Sequence, residues 1–380
     1  FGADSSFAGN KTPQGNQDAN GIGDFYYAPP AGFLSLSTKS LDTPTVIPSE
    51  NFNTVLYTGN QAANVAVTGV GFQPDLVWGK NRSSASNHWL FDSVRGINKM
   101  LQADQTNAEE TQSGVRAFNS FGFTLGTWIG STKTNDSYVA WNWKAGGSAS
   151  SNTNGTITSS VSANPSAGFS IVSYTGTGAN ATVGHGLSSA PEMIIIKSRS
   201  DGAQDWGVYH TALGPTKWVR LNLTSASATA SNVWNNTAPT SSVFSLGSGG
   251  HLNGSSDTEI AYCFHSVDGH SRVGSYIGNG NHDGPFVYCG FKPAMVIFKN
   301  TTVADDWQIQ DTTRSPFNGV NSRLMPNNSS EEATNSTWAS VDYLSNGFKQ
   351  RYSDNIMNAS GSTYIFIAFA ETPFKFSNAR

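Results

Sequence analysis

Pro74-Asp75-Leu76-Val77-Trp78-Gly79-Lys80 decides how this chain is read, because the chain writes it three times. The second copy is Pro191-Glu192-Met193-Ile194-Ile195-Ile196-Lys197, and the third is Pro293-Ala294-Met295-Val296-Ile297-Phe298-Lys299. Each opens on proline, runs through mostly apolar residues and closes on lysine six positions later. Proline suits a strand start, where its missing N–H costs no ladder bond. Val, Ile and aromatic residues favour a pleated, buried surface. The run is too short for an ordinary helix and is apolar on both faces, which predicts a central strand.

The repeat reaches outward from that strand. Seventeen residues before each proline stands a tyrosine opening a Tyr-x-Gly signal: Tyr57-Thr58-Gly59, Tyr174-Thr175-Gly176 and Tyr276-Ile277-Gly278. Beyond each lysine comes a polar loop and a tryptophan: Trp89, Trp206 and Trp307, after nine, nine and eight residues. Phe123, Phe244 and Phe348 follow turns. Each copy closes on an apolar strand: Tyr138–Trp143, Glu259–Phe264 and Tyr364–Phe369. Landmarks kept in one order at one offset indicate triplication. The expected architecture is all-β: three tandem antiparallel β-sandwich modules, jelly-roll-like, at 49–147, 148–268 and 269–380, behind a head at 1–48. The Gly/Ser/Asn stretch Ala145–Gly155 reads as a linker, so copies one and two are expected to be loosely tethered and copies two and three to pack rigidly. Thr156–Ala163 reads as an edge strand of copy two. Asn107–Ala117 and its counterparts in the other copies are the only stretches expected to be able to hold a short helix.

Composition narrows the function. Of 380 residues only 13% are charged, aromatics reach 12%, and Gly, Ser, Thr and Asn abound, as in extracellular or virion β-proteins. A net charge of −4 offers no basic footprint for nucleic acid. The longest apolar run, Tyr364–Ala370, is far short of a membrane span. There is no signal peptide pattern, and a chain opening on Phe1 is expected to lack residues upstream. Two cysteines exclude a disulfide-stapled scaffold. Cys263 lies in a closing strand, and Cys289 fills the slot of Val70 and Leu187; both read as core, with a bridge between them left open.

Catalytic and metal-binding patterns are weak throughout. Gly269-His270-Ser271-Arg272-Val273-Gly274 is one residue too long for a nucleophile elbow. Trp78-Gly79-Lys80 lacks the earlier glycine of a phosphate loop. Lys80, Lys197 and Lys299 are expected to end a strand and snorkel to water. Cys263, His265, Asp268 and His270 fall short of a zinc set, since the other copies keep no ligands at those places. The pairs Glu109/Glu110, Asp305/Asp306 and Glu331/Glu332 read as solvated loop charges rather than opposed carboxylates. Asp201 and Asp205, like Asp305 and Asp306, are a weak calcium pattern. Trp89, Trp206 and Trp307 recur in every copy, which suits a core better than a sugar platform. The less repeated Trp128, Trp218, Trp234 and Trp338 lie in variable polar loops and are the candidates for receptor or subunit contact. No catalytic residue, metal site or cofactor is expected.

Gly71–Trp78, His88–Gly96 and Tyr138–Gly147 resemble a repeat family of structural proteins of tailed phages, many of them marine phages and cyanophages. Gly168–Leu187 is similar to its second module, and Tyr364–Glu371 to its closing strand. Asp24–Leu36 resembles the closing strand and exit of a SPRY-like sandwich, and so completes that arrangement. The resemblance covers nearly the whole chain. It implies a non-enzymatic virion component, a tail fibre, spike or capsid appendage, that assembles with other virion proteins and recognises a host surface or glycan. The head carries Phe25, Tyr26, Tyr27, Phe33 and Leu34 with little chain to cover them, which suggests a homo-oligomer, a trimer if the protein is a fibre. The rival readings are a virion-borne or secreted polysaccharide-degrading enzyme, which needs two opposed carboxylates in a cleft, and a bacterial surface adhesin.

Overall fold

The computed structural model describes residues 9–35, 46–334 and 340–371. They fall into two compact units, 9–35 and Val46–Glu371. The described part of the first unit is pinned by an antiparallel bridge between Asn16 and Phe25 and by Asp18. The Asp18 carboxylate accepts the backbone N–H groups of Ser35, Asn20 and Ile22, which holds its carboxyl down at about 2. Tyr27, Phe33 and Leu34 are exposed.

The second unit is antiparallel β-structure built from one four-strand plan used three times. An opening strand (Phe52–Thr58, Phe169–Thr175, Ser271–Ile277) pairs with a closing strand (Ser137–Trp143, Thr258–Phe264, Thr363–Ala370). The closing strand pairs with the proline strand (Leu76–Asn81, Met193–Ser198, Pro293–Asn300), and that pairs with an outer strand (Trp89–Asp92, Gly207–His210, Gln308–Asp311). Registers agree: Leu76 lies opposite Trp143, Met193 opposite Phe264 and Met295 opposite Phe369, so Pro74, Pro191 and Pro293 are equivalent. A smaller lid sheet covers one face of each main sheet. It consists of Val65–Val67, Gly122–Leu125 and Val115–Asn119 in the first module. In the second it is Ala181–Gly184 with Val243–Leu246, and in the third Phe286–Tyr288, Gly347–Gln350 and Val341–Leu344. Phe123, Phe244 and Phe348 fill the space between the two layers and are fully buried.

The Tyr-x-Gly signal has one cause in all three places. The phenol of Tyr57, Tyr174 or Tyr276 donates to the carbonyl of Ser131, Leu252 or Met357, at 2.7, 2.6 and 2.8 Å. Two residues on, the glycine abuts the same turn: a Cβ on Gly59, Gly176 or Gly278 would lie 2.2–2.3 Å from a backbone oxygen of it. The tyrosine hooks the turn and the glycine lets it close.

Trp89, Trp206 and Trp307 are all buried, but they are not one position. Gly79 lies opposite Trp89, Ile196 opposite Gly207 and Phe298 opposite Gln308, so Trp206 and Trp307 match His88, one residue earlier. A one-residue shift on a strand exchanges faces. Trp206 and Trp307 accordingly join the central core, while Trp89 packs under the lid of its own module. The pairs compensate: a Cβ on Gly79 would sit 2.0 Å from the Trp89 ring, whereas the second module sets Ile196 against Gly207.

The modules are not beads on a string. One apolar cluster draws on all three main sheets, and each lid has its own smaller cluster. Trp143, Phe264 and Phe369, at equivalent places, meet with ring centroids 5.7–6.5 Å apart. Phe52 stacks on Phe369 at 4.7 Å, joining the first module to the last. A wholly apolar cavity of about 20 Å³ remains beside them, between Trp78, Ile195, Ile297 and Phe369. The expected loose tether between copies one and two is therefore corrected. Ser150–Asn152 and Ser159–Asn164, within and just beyond the linker, form strands that extend the second main sheet past its opening strand. The expected helix is absent at Asn107–Ala117 but present in the counterpart stretch of the second module, as Ser231–Trp234. In the first module Glu110–Thr111 and Val115–Asn119 are strands, and among the described residues the one-turn α-helices lie at Ile129–Thr132, Ser231–Trp234 and Gly250–Asn253, with a 3-10 turn at Pro48–Glu50.

Candidate functional site

The concentrated polar chemistry of the described residues sits where modules meet. Asp92, His210 and Asp311 end the outer strands at one register. Asp92 pairs with Arg95 and accepts the phenol O–H of Tyr262 from the second module at 2.8 Å. Asp311 pairs with Arg314 at 2.6 Å and accepts the indole N–H of Trp141 from the first module at 3.0 Å. At the third corner Leu213 replaces the arginine. There His210 Nδ1 accepts the Ala212 N–H, leaving Nε2 to donate to the Phe366 carbonyl across a longer 3.4 Å. Burial holds the His210 imidazole down at about 4, so it is neutral.

A second belt of charges runs outside the first. Arg95 reaches Glu109, which also pairs with Arg199 of the second module at 2.9 Å. Arg314 reaches Glu332, which pairs with Arg82 of the first module at 2.7 Å. At the third corner the Ser227 N–H donates to the Thr301 carbonyl, the backbone bond that Glu109 makes to Arg199 and Glu332 makes to Arg82. Glu109 and Glu332 are thus joints between modules rather than solvated loop charges. The repeated Asp92-Ser93-Val94-Arg95 and Asp311-Thr312-Thr313-Arg314 was the sequence signal for them, broken at His210-Thr211-Ala212-Leu213.

The three lysines do not reach water. Lys80, Lys197 and Lys299 are fully buried, and Nζ donates to the carbonyls of Asn81, Ser198, and Thr224 with Asp305. Burial lowers each ammonium to about 8. Glu259 is less well provided for. It occupies the position at which Tyr138 and Tyr364 stack on Tyr57 and Tyr276, and no well-formed hydrogen bond reaches its carboxylate oxygens, although the Lys197 ammonium and the Ser198 side chain both act to lower it. Burial, with Asp257 adding, raises its carboxyl to about 9.

The expected contact tryptophans separate. Trp218 and Trp234 are buried in the lid core of the second module, which corrects their reading as surface contacts. Trp128 is half-buried against the lid core of the first module, and Trp338 lies outside the described residues. Cys263 and Cys289 are free and buried. Ser271 is buried and donates to the His265 carbonyl. Asp205 is held by Arg220 and Asn222, and Asp306 by Asn327. Among the described residues no three His, Cys, Asp or Glu side chains converge as a metal site.

A family profile described as a domain of unknown function, DUF7483, matches residues 47–373. The chain belongs to the DUF7483 family. No curated protein matches it. The DUF7483 segment coincides with the second compact unit, Val46–Glu371, so all three modules make one family domain.

The lid sheet of the third module puts two aromatic side chains on the surface of this DUF7483 unit. Phe286 and Tyr288 flank buried Val287 and are 45% and 62% exposed. Their counterparts are Ala66 and Thr68 in the first module and Thr182 and Gly184 in the second, since Val67, Val183 and Val287 lie opposite Phe123, Phe244 and Phe348. The fold needs no aromatic there. Beside them Lys349 pairs with Asp283 at 2.7 Å, and Arg351 with Asp342.

Proposed function

We propose that this chain is a non-enzymatic structural protein of a tailed-phage virion, a tail fibre, spike or capsid appendage, working in assembly and surface recognition. One observation carries the reading beyond the resemblance itself. The residues that carry the resemblance are the framework: Gly71–Trp78 leads into the proline strand, His88–Gly96 makes the outer strand and its Asp92–Arg95 corner, and Tyr138–Gly147 is the closing strand and its exit. The recurring sequence is spent on joining three sheets into one core, and the acidic side chains at the joints are spent on arginines. Such a scaffold presents its variable loops and lid faces outward, where recognition belongs.

Mass spectrometry of purified particles of the encoding virus tests this, with immunogold labelling to place the chain on capsid, tail or fibre. Recovery in particles at stoichiometric amount is the expected result. Recovery in a cell-envelope fraction instead would favour an adhesin. Release of reducing ends from polysaccharide by the purified chain would establish the enzyme reading.

A further inference from the structure

We infer that the edge strand Phe286–Tyr288 pairs with the same strand of a second copy of this chain, making a two-fold dimer through the third module. The molecule carries its own comparison. In each lid the outer edge strand turns alternate backbone groups toward its sheet and away from it. In the second module the outward groups belong to Thr182 and Gly184, and the chain itself covers them. The Ile157 N–H and the Ser159 hydroxyl donate to the Thr182 and Gly184 carbonyls at 3.0 and 2.8 Å, and the Thr156 hydroxyl accepts the Thr182 N–H at 2.8 Å.

In the third module the sheetward groups belong to Pro285, Val287 and Cys289: Pro285 accepts from Gln350 and Cys289 donates to Asn346. The outward ones are those of Phe286 and Tyr288, and among the described residues nothing bonds them. An open edge beside two exposed aromatics is a template for another strand, which folded proteins otherwise block with charge, proline or a cover.

The second copy fits as occupant. Two antiparallel copies centred on Val287 place Phe286 opposite Tyr288 twice, and both residues turn their N–H and C=O outward, so four backbone bonds form in that register. The two cross-strand aromatic pairs lie on one face. The flanking charges are two acids, Asp283 and Asp342, and two bases, Lys349 and Arg351. A surface carrying both signs in equal number is complementary to itself under a two-fold axis.

Sedimentation velocity on the full chain across the micromolar range tests the pairing. A dimer is expected for the parent. Phe286→Lys with Tyr288→Lys, which adds like charges across the edge, should raise Kd at least about tenfold without lowering the melting temperature. A second variant fixes the register. Hydrogen-bonded antiparallel partners have Cα atoms about 5.5 Å apart, within disulfide reach. Phe286→Cys with Tyr288→Cys should therefore cross-link between copies on mild oxidation, and Phe286→Cys alone should not. Cys263 and Cys289, being buried, stay silent. A monomeric parent, a dimer indifferent to the lysines, or cross-linking by Phe286→Cys alone would each overturn the inference, as would capture of a foreign strand at this edge by a monomeric chain.

Discussion

Glu259 is the clearest place to perturb this fold, because its two counterparts show what the position prefers. Its carboxyl is fully buried and raised to about 9, chiefly by burial, against the opposing pull of Lys197 and Ser198. The folded chain therefore holds a proton that the unfolded chain has released above the ordinary 4.5. A group with a raised folded-state value takes stability away as pH rises through the window between the two values, here from about 4.5 to about 9. Each unit is worth about 1.4 kcal/mol, so by pH 7.5 the ionisable carboxyl has cost about 4 kcal/mol relative to a neutral amide of the same shape. Other buried groups also titrate. His210 and His270, held at about 4, lose stability toward acid, and Lys197, lowered to about 8, acts in alkali. The difference between parent and Glu259→Gln cancels the two histidines, and Lys197, which is coupled to Glu259, adds to it only toward pH 8. Urea unfolding at matched pH should show the two equal near pH 4, with the glutamine variant gaining about 1.4 kcal/mol per unit from about pH 5 toward pH 8. Glu259→Tyr should gain more, about 0.5–1.5 kcal/mol beyond Gln, by restoring the stacked pair with Tyr174. A difference profile flat in pH would refute the account of a carboxyl kept protonated by burial.

Other outcomes follow from the same geometry. Arg314→Leu should cost about 3–5 kcal/mol by leaving Asp311 buried and unpaired, and adding Asp311→His, which copies the second module's corner, should recover much of it in denaturant melts. Trp206→Ala and Trp307→Ala should each cost about 3–5 kcal/mol through a cavity in the shared core, read as a cooperative loss of all three modules in calorimetry. Gly79→Ile should be severely destabilising against the Trp89 ring, while Gly79→Ile with Trp89→Gly, imitating Ile196 and Gly207, should cost less than the sum of the single changes in a double-mutant cycle.

Much of this architecture was legible in the chain because the opening, proline and closing strands repeat at fixed offsets. The proline strands also announced something left unread. They are apolar on both faces, yet a lid sheet covers only one; the other face needed a neighbour, and the neighbours are the other modules. The tryptophans misled because loop length and strand parity trade off. A nine-residue gap in copies one and two reaches opposite faces, since the loop of copy two is one residue longer. Lysine at a strand end ordinarily reads as a residue reaching for water, and nothing local says that the following loop folds back to offer carbonyls. Trp218 and Trp234 sit in segments polar enough to look exposed, but a one-turn helix covers that side of the second module alone. Phe286 and Tyr288 stand out only after strand registers show that their counterparts are small.

The stacking of Phe52 on Phe369 has a consequence in time. The first residue of the first opening strand meets nearly the last residue of the last closing strand, so the shared core cannot shut until almost the whole unit has left the ribosome. Until then Trp78, Trp141 and Trp143 have water where the third module will be. Contacts this distant in sequence are paid in loop entropy before they return anything, which makes closure slow. A chain truncated before Thr363 should accumulate as a sticky intermediate rather than as two finished modules, and production of the protein should depend on whatever holds such half-built β-structures apart.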